Sequence, residues 1–163
     1  MSTTRELASA RIDIGDLTLN VAERGAGPAF IFIPGLLGLY DAWRFQLEEF
    51  SSRYRCISFD HRGTGDSDKP QTGYTTEAIS RDVIGLMDKL GIDKAHVAGT
   101  STGGCVLQHL AVDHPKRLRC CIFSNTWVKA GSAVKSTKCC MSSHRKSFRG
   151  IAKSQAADMV PLS

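Results

Sequence analysis

The chain has 163 residues, of which 42% are hydrophobic and 23% are charged. These values are close to globular averages, so the composition excludes a mainly disordered chain, a collagen-like repeat and a bundle of membrane helices. The N-terminus lacks a basic stretch followed by an apolar one, so we expect no secretory signal peptide. The length favours a single domain, a cytoplasmic location is expected, and no membrane partner is expected.

The net charge of +5 is distributed unevenly along the chain. Residues 1–128 contain 14 Lys and Arg against 15 Asp and Glu, whereas residues 129–163 contain seven against one. A basic segment can bind nucleic acid, but this one lacks interleaved aromatic residues for base stacking. It also lacks a clear amphipathic helix for a membrane surface. We therefore expect no nucleic-acid partner.

The six cysteines are placed unlike a disulfide framework. Cys120 and Cys121 are adjacent, as are Cys139 and Cys140, while the remaining two cysteines stand alone. No Cys-x-x-Cys with histidine partners is present, so the sequence signals no metal site. We expect reduced thiols, mostly buried as small hydrophobic side chains.

Up to about residue 127, short apolar runs alternate with helical patterns. Alternating residues around Gly15 and Asp16 predict a hairpin of strands at residues 11–14 and 17–22. Four further runs predict strands at residues 29–33, 54–59, 95–98 and 118–123. Three segments with helical spacing predict helices at residues 42–50, 76–90 and 103–112.

The order of these elements predicts the fold class. Asp41 is a candidate N-cap of the first helix, and a threonine and Gly91 are candidate caps of the second. The alternation predicts an α/β protein with a mostly parallel sheet covered by helices on both faces. The strand at residues 118–123 is expected at an exposed edge of that sheet.

The sequence Gly99-Thr100-Ser101-Thr102-Gly103 fits the pattern G-x-S-x-G. It follows a predicted strand and opens a predicted helix, which is the setting of a nucleophile elbow. A sharp turn there presents the Ser101 hydroxyl, and the helix N-terminus places the Thr102 N–H beside a developing oxyanion. The competing interpretation is a glycine-rich turn without chemistry.

Two further loops follow predicted strands. In Pro34-Gly35-Leu36-Leu37-Gly38, the N–H of Leu36 is the candidate second oxyanion donor, against the alternative of a simple strand-exit turn. The loop Asp60-His61-Arg62-Gly63-Thr64-Gly65-Asp66-Ser67-Asp68 is rich in glycine. It lacks the lysine pattern of a phosphate-binding loop, so a phosphate-cradling role is not favoured.

The three motifs P-G-L-L-G, D-H-R-G-T-G-D-S and G-T-S-T-G, in this order, strongly resemble the α/β-hydrolase superfamily. The segment S-N-T-W-V-K-A after the last predicted strand is similar to aminoacrylate hydrolases and 3-oxoadipate enol-lactonases. The resemblance covers roughly residues 9–130 and implies that residues 1–130 form the N-terminal part of an α/β-hydrolase domain. It also implies that the loop after the fourth strand is structural, with Arg62 pairing locally.

The chain departs from the family pattern in two places. Many members have histidine where this chain has Pro34, which is tolerable because the oxyanion donor is a backbone group. In the family, an Asp or Glu and then a histidine follow the serine, and we assign neither residue in this chain. Four histidines are expected to be structural or solvated: His61, His96, His109 and His114. The fifth, His144, has no predicted strand before it, so we do not assign it as the base.

Residues 131–163 differ from the rest of the sequence. Seven of these 33 residues are serine, and no helical or alternating apolar pattern persists. We expect either a disordered basic tail or an unrelated segment produced by a change of reading frame or splicing near residue 130. Translating the other two frames beyond that codon tests the second interpretation.

The resemblance implies a hydrolase that needs no cofactor or metal and acts on a small-molecule ester, lactone, amide-like or carbon–carbon bond. Ser101 would attack the substrate, and the N–H groups of Leu36 and Thr102 would stabilise the oxyanion. An aspartate nucleophile, as in dehalogenases of the superfamily, is excluded by the serine at position 101. The alternative is a catalytically inactive, truncated chain that at most binds a partner.

Overall fold

The structure, a computed structural model, describes residues 7–127. Within this range the strands are β1 (Ser9–Asp13), β2 (Thr18–Arg24), β3 (Ala29–Ile33), β4 (Arg55–Phe59), β5 (Ala95–Thr100) and β6 (Leu118–Ser124). The α-helices are α1 (Arg44–Phe50), α2 (Thr76–Lys89) and α3 (Thr102–Asp113), and short 3₁₀ helices cover Tyr40–Trp43 and Pro115–Arg117. The predicted basic tail at residues 131–163, with His144, lies outside the described residues.

The six described strands form one sheet in the order β1-β2-β4-β3-β5-β6. The β1–β2 and β2–β4 pairs are antiparallel, whereas the β4–β3, β3–β5 and β5–β6 pairs are parallel. In the β3–β5 pair, Ile33 lies opposite Gly99. The predicted α/β class with a mostly parallel sheet is confirmed, and β6 lies at an edge of the described sheet.

All five residues of the central strand β3 are buried, and their side chains contribute to the hydrophobic cores on both faces of the sheet. Ile31 and Ile33 join a core with apolar residues of α2 and α3, while Phe30 and Phe32 join a second core with residues of α1. Successive side chains of a strand point to opposite faces, so the alternation of β3 separates these two cores. Helices therefore cover both faces, as predicted from the alternation of strands and helices.

The first predicted helix, at residues 42–50 with Asp41 as its N-cap, is wrong in its first turn. The Ala42 N–H donates to the Leu39 carbonyl at 3.1 Å, so this part is a 3₁₀ helix and α1 begins only at Arg44. The Asp41 side chain makes no capping hydrogen bond, because Leu39 occupies the cap position. A distant carboxylate holds this entry instead: Asp60 Oδ1 accepts from the Tyr40 N–H at 2.8 Å.

Helix α2 has the two caps that its sequence predicts. Thr75 Oγ1 accepts a hydrogen bond from the Ala78 N–H at 3.1 Å, which satisfies one of the N-terminal donors. Gly91 follows the helix with φ of +66°, a left-handed conformation that glycine adopts without steric cost. The residues next to α2 were therefore sufficient to predict both of its ends.

Three of the four cysteines within the described residues are buried: Cys56, Cys120 and Cys121. Burial raises the pKa of the Cys56 thiol to about 11, so this side chain stays protonated at neutral pH. These cysteines fit the predicted role as small hydrophobic residues. Over residues 7–127, the structure contains no helix that is both long and apolar enough to cross a membrane.

Candidate active site

Ser101 lies at the sharp turn between β5 and α3, with φ of 52° and ψ of −123°. A non-glycine residue at positive φ costs about 1–3 kcal/mol, and such residues cluster at functional sites. A Cβ added at Gly99 would collide with the Gly103 carbonyl, so the turn closes tightly only because glycine stands there. The structure thus places the G-x-S-x-G motif on the strand–turn–helix geometry of a nucleophile elbow.

The backbone of Ser101 is held in place by the end of β6. Its N–H donates to the Ser124 carbonyl at 3.1 Å, and its carbonyl accepts from the Gly104 N–H at 2.9 Å. Thr126 Oγ1 donates a second hydrogen bond to the same carbonyl at 2.8 Å. Thr126 was not singled out from the sequence, because its partner lies 25 residues away.

Replacing Thr126 with valine removes this hydroxyl and keeps the shape of the side chain. We expect the free energy of unfolding to fall by about 1 kcal/mol, since one hydrogen bond to the Ser101 carbonyl is lost. Urea denaturation measures the change. Thr126→Ser, which retains the hydroxyl, is the matched control, and an equal loss in both variants would contradict the assigned role.

The Thr102 N–H is available at the N-terminus of α3. Thr102 is the first residue of this helix, and the first N–H groups of an α-helix have no intrahelical partner. The helix dipole adds a partial positive charge at the same point. The described structure thus places a backbone donor directly after Ser101, as the motif predicts.

The loop after β3 lies against the elbow. A Cβ added at Gly35 would lie 3.4 Å from the Cβ of Ser101 and 3.9 Å from its Oγ, so the bare glycine lets this backbone approach the hydroxyl. The next two residues, Leu36 and Leu37, are 73% and 74% exposed. The structure therefore brings the predicted Leu36 segment to Ser101 and directs its side chains to the surface.

His61 also belongs to this neighbourhood, although the sequence suggested only a structural or solvated role. The residue is 3% exposed, and Nε2 lies 2.9 Å from the Pro34 carbonyl oxygen. Burial lowers the pKa of His61, opposed by the carbonyls of Pro34 and Gly35 and by the carboxylates of Asp82 and Asp60. Loops after neighbouring parallel strands meet at one edge of a sheet, but the pairing of β3 with β4 could not be predicted from the sequence.

The loop after β4 is organised by the buried Asp60 carboxylate. This group accepts hydrogen bonds from the Asn20 amide at 2.8 Å and from the Tyr40 N–H at 2.8 Å. A third hydrogen bond to the carboxylate comes from within the loop, from the Asp66 N–H at 3.1 Å, and Ser67 Oγ donates to the Asp60 carbonyl at 2.7 Å. The loop is a hydrogen-bonded turn that joins β2, β4 and the entry to α1.

Arg62 reaches beyond this loop rather than pairing within it. Its Nη2 and Nε donate to the two carboxylate oxygens of Asp82 at 2.6 Å and 2.7 Å, and Asp82 lies on α2. The side chains are 12% and 4% exposed, so the ion pair is almost fully buried. The prediction of local pairing is thus corrected, because the fork of Arg62 fits the carboxylate of α2 in a bidentate geometry.

The other described histidines lie away from the elbow. His96 lies near the start of β5 and contacts the Phe30 and Tyr54 rings. It precedes Ser101 by five residues, or about 16 Å at the usual rise per residue of a strand. His109 lies two turns along α3, where Nε2 is 3.1 Å from Thr76 Oγ1. His114 follows the end of α3. The hydrogen bonds of His61, His109 and Thr126 go to the Pro34 carbonyl, to Thr76 Oγ1 and to the Ser101 carbonyl, and not to Ser101 Oγ.

No group of three or more His, Cys, Asp or Glu is arranged to hold a metal ion within the part of the chain that the structure describes. The described residues bring together the Ser101 hydroxyl, the N-terminus of α3 and the loop after β3. Backbone N–H groups can donate to the negative oxygen of a tetrahedral intermediate in acyl transfer.

The fold and the elbow define the class of protein. The model of the alpha/beta hydrolase fold family matches residues 28–143, and the chain belongs to this family. The expectation formed from the three sequence motifs is thereby confirmed.

Particular relatives are hydrolases of different substrates. The chain is 38% identical over 120 residues to 3-oxoadipate enol-lactonase 2 of Acinetobacter baylyi, covering 72% of this chain and 45% of that protein. It is 37% identical over 111 residues to epoxide hydrolase 2 of Siraitia grosvenorii, covering 66% and 35%. The predicted similarity to enol-lactonases is confirmed at this level.

A solved structure shows the same fold. The crystal structure of E-2-(acetamidomethylene)succinate hydrolase superposes with a TM-score of 0.68 and 34% identity, covering 71% of this chain and 43% of that one. The chain thus spans less than half the length of each of these relatives.

Proposed function

We propose that the chain carries the nucleophile and the oxyanion hole of a serine hydrolase acting on a small-molecule ester, lactone or related bond. The observation that carries this proposal is Ser101 at positive φ on a strand–turn–helix elbow, with Gly35 of the neighbouring loop against its hydroxyl. The cytoplasmic location expected from the sequence forms part of the same proposal.

The chemistry follows from these groups. Ser101 Oγ attacks the carbonyl carbon, and the hydroxyl proton passes to a general base while the carbonyl oxygen becomes negative. The N–H groups of Leu36 and Thr102 donate to that oxygen. The tetrahedral intermediate then expels the leaving group, and water releases the acyl group from Ser101.

The proposed chemistry needs a general base beside Ser101. A serine hydroxyl is weakly nucleophilic until an adjacent base accepts its proton. His61 does not serve, because its Nε2 faces the Pro34 carbonyl, and His96, His109 and His114 lie away from Ser101 near the start of β5, in α3 and at the end of α3. If no other group supplies the base, the competing proposal of a catalytically inactive chain holds.

A fluorophosphonate probe separates the two proposals. We expect the full chain to become labelled at a single serine and Ser101→Ala to lose the label entirely, because the attacking oxygen is gone. Mass spectrometry of the labelled peptide and turnover of a nitrophenyl ester measure the outcome.

Ser52→Ala is the matched control, since Ser52 is exposed and lies outside the site. It should be labelled like the unchanged chain. Absence of labelling in the folded, unchanged chain would overturn the nucleophile proposal. Weak ester turnover that persists in Ser101→Ala would not support it, because an oxyanion hole alone retains residual catalysis.

A further inference from the structure

We propose that His61 is the positioning residue that orients the Leu36 N–H toward the oxyanion, by holding the Pro34 carbonyl from the neighbouring loop. This inference rests on the proposed function of Ser101 and Leu36. It assigns a task to a buried histidine that the triad chemistry does not use.

The direction of the His61 hydrogen bond is fixed by its partner. A carbonyl oxygen can only accept, so the ring nitrogen Nε2, 2.9 Å from the Pro34 oxygen, must carry the proton and donate. A neutral imidazole carries one N–H, which leaves Nδ1 as an unprotonated nitrogen. Nδ1 is buried without a hydrogen-bond partner among the described residues, so a proton on it would have no acceptor.

The Pro34 carbonyl is held from two sides. His61 donates to it from the loop after β4, and α3 approaches it so closely that a Cβ on Gly103 would collide with the same oxygen. The peptide plane between Pro34 and Gly35 is therefore fixed between the elbow helix and the His61 ring.

The next peptide plane carries the oxyanion donor. The Gly35 carbonyl accepts from the Gly38 N–H at 2.9 Å, which directs this carbonyl into its own turn. The described peptide bonds include no cis bond, and in a planar trans peptide the N–H points opposite to the carbonyl. The Leu36 N–H therefore points away from the turn, in a direction set by the anchored residues before it.

His61 is itself held rigidly enough for this task. Its carbonyl accepts from both the N–H of Thr64, at 3.0 Å, and Thr64 Oγ1, at 2.9 Å. Its ring meets the Phe59 ring edge-on, with centroids 5.5 Å apart. The adjacent Asp60 network fixes the start of the loop, so the ring has little freedom to release Pro34.

The test compares three variants of the full chain. Glutamine places an amide N–H near the position of Nε2 and keeps the donor, asparagine is too short to reach the Pro34 oxygen, and leucine has no donor. The rate constant for fluorophosphonate labelling of Ser101 is measured for each, scaled to the folded fraction from circular dichroism. We expect His61→Gln to stay within about threefold of the unchanged chain, and His61→Asn and His61→Leu to be about 10- to 100-fold slower.

Equal labelling rates in folded His61→Gln and His61→Asn would overturn the proposal, and this comparison also decides the case in which His61→Leu fails to fold. If the unchanged chain is not labelled at all, the proposed function fails, and backbone NMR decides the positioning role separately. The Leu36 and Gly38 amide signals should then remain in place in His61→Gln and shift or broaden in His61→Asn. Unchanged signals in both variants would refute the role.

Discussion

Replacing Gly103 with alanine should lower the free energy of unfolding by about 3 kcal/mol, at the upper end of the range for overpacking. An added Cβ would lie closer than 3.0 Å to the carbonyl oxygens of both Ile33 and Pro34. Both are backbone atoms at the end of a central strand, so neither can move as a flexible side chain would. Urea denaturation followed by circular dichroism measures the loss.

The matched control is another helical glycine. A Cβ on Gly85, in α2, would lie 3.4 Å from the Ile14 Cβ, which is ordinary van der Waals contact. Alanine is favoured over glycine in a helix by about 0.5–1 kcal/mol, so Gly85→Ala should be neutral or stabilising. If Gly103→Ala is as stable as Gly85→Ala, the close approach of α3 to the loop after β3 is not real.

Asp82→Asn should destabilise the fold by about 3–5 kcal/mol, because it leaves the buried Arg62 charge without its partner. The hydrogen bonds and charge of Asp82 raise the pKa of Arg62, and the guanidinium stays charged in the variant. Asparagine keeps the shape of the side chain, so the effect reports the lost charge rather than a cavity. Thermal and urea unfolding both measure it.

An exposed ion pair gives the control for this prediction. Glu77 and Arg81 on α2 are 2.6 Å apart, and both side chains are 61% exposed. Such pairs contribute about 0.2–1 kcal/mol, so Glu77→Gln should change stability little. A loss of similar size in both variants would show that the Arg62–Asp82 pair is no more important than a surface pair.

The elements that could be predicted from the sequence are those with local causes. The elbow follows from the spacing of Gly99, Ser101 and Gly103, because the steric demand of the turn acts within five residues. Likewise, the caps of α2 come from Thr75 and Gly91, which flank that helix. Local spacing therefore sufficed for the order of strands and helices along the chain and for the serine at the turn.

The contacts that could not be predicted join distant parts of the chain. The entry to α1 depends on Asp60, 20 residues away, and this tertiary contact replaced the local cap expected from Asp41. The Thr126 bond to Ser101 and the His61 bond to Pro34 span 25 and 27 residues. Their partners are fixed only once the parallel strands have paired, so sequence spacing carries no signal for them.

The alternation of isoleucine and phenylalanine along β3 has a consequence for the site at its end. If β3 slipped by one residue against β5, its phenylalanines would enter the core under α3 and its isoleucines the core under α1. The same slip would carry Gly35 about 3.3 Å along the strand direction, and so out of its close approach to the Ser101 side chain. The apolar side chains that fix the register of β3 in the two cores therefore also set the spacing between the two loops of the candidate active site.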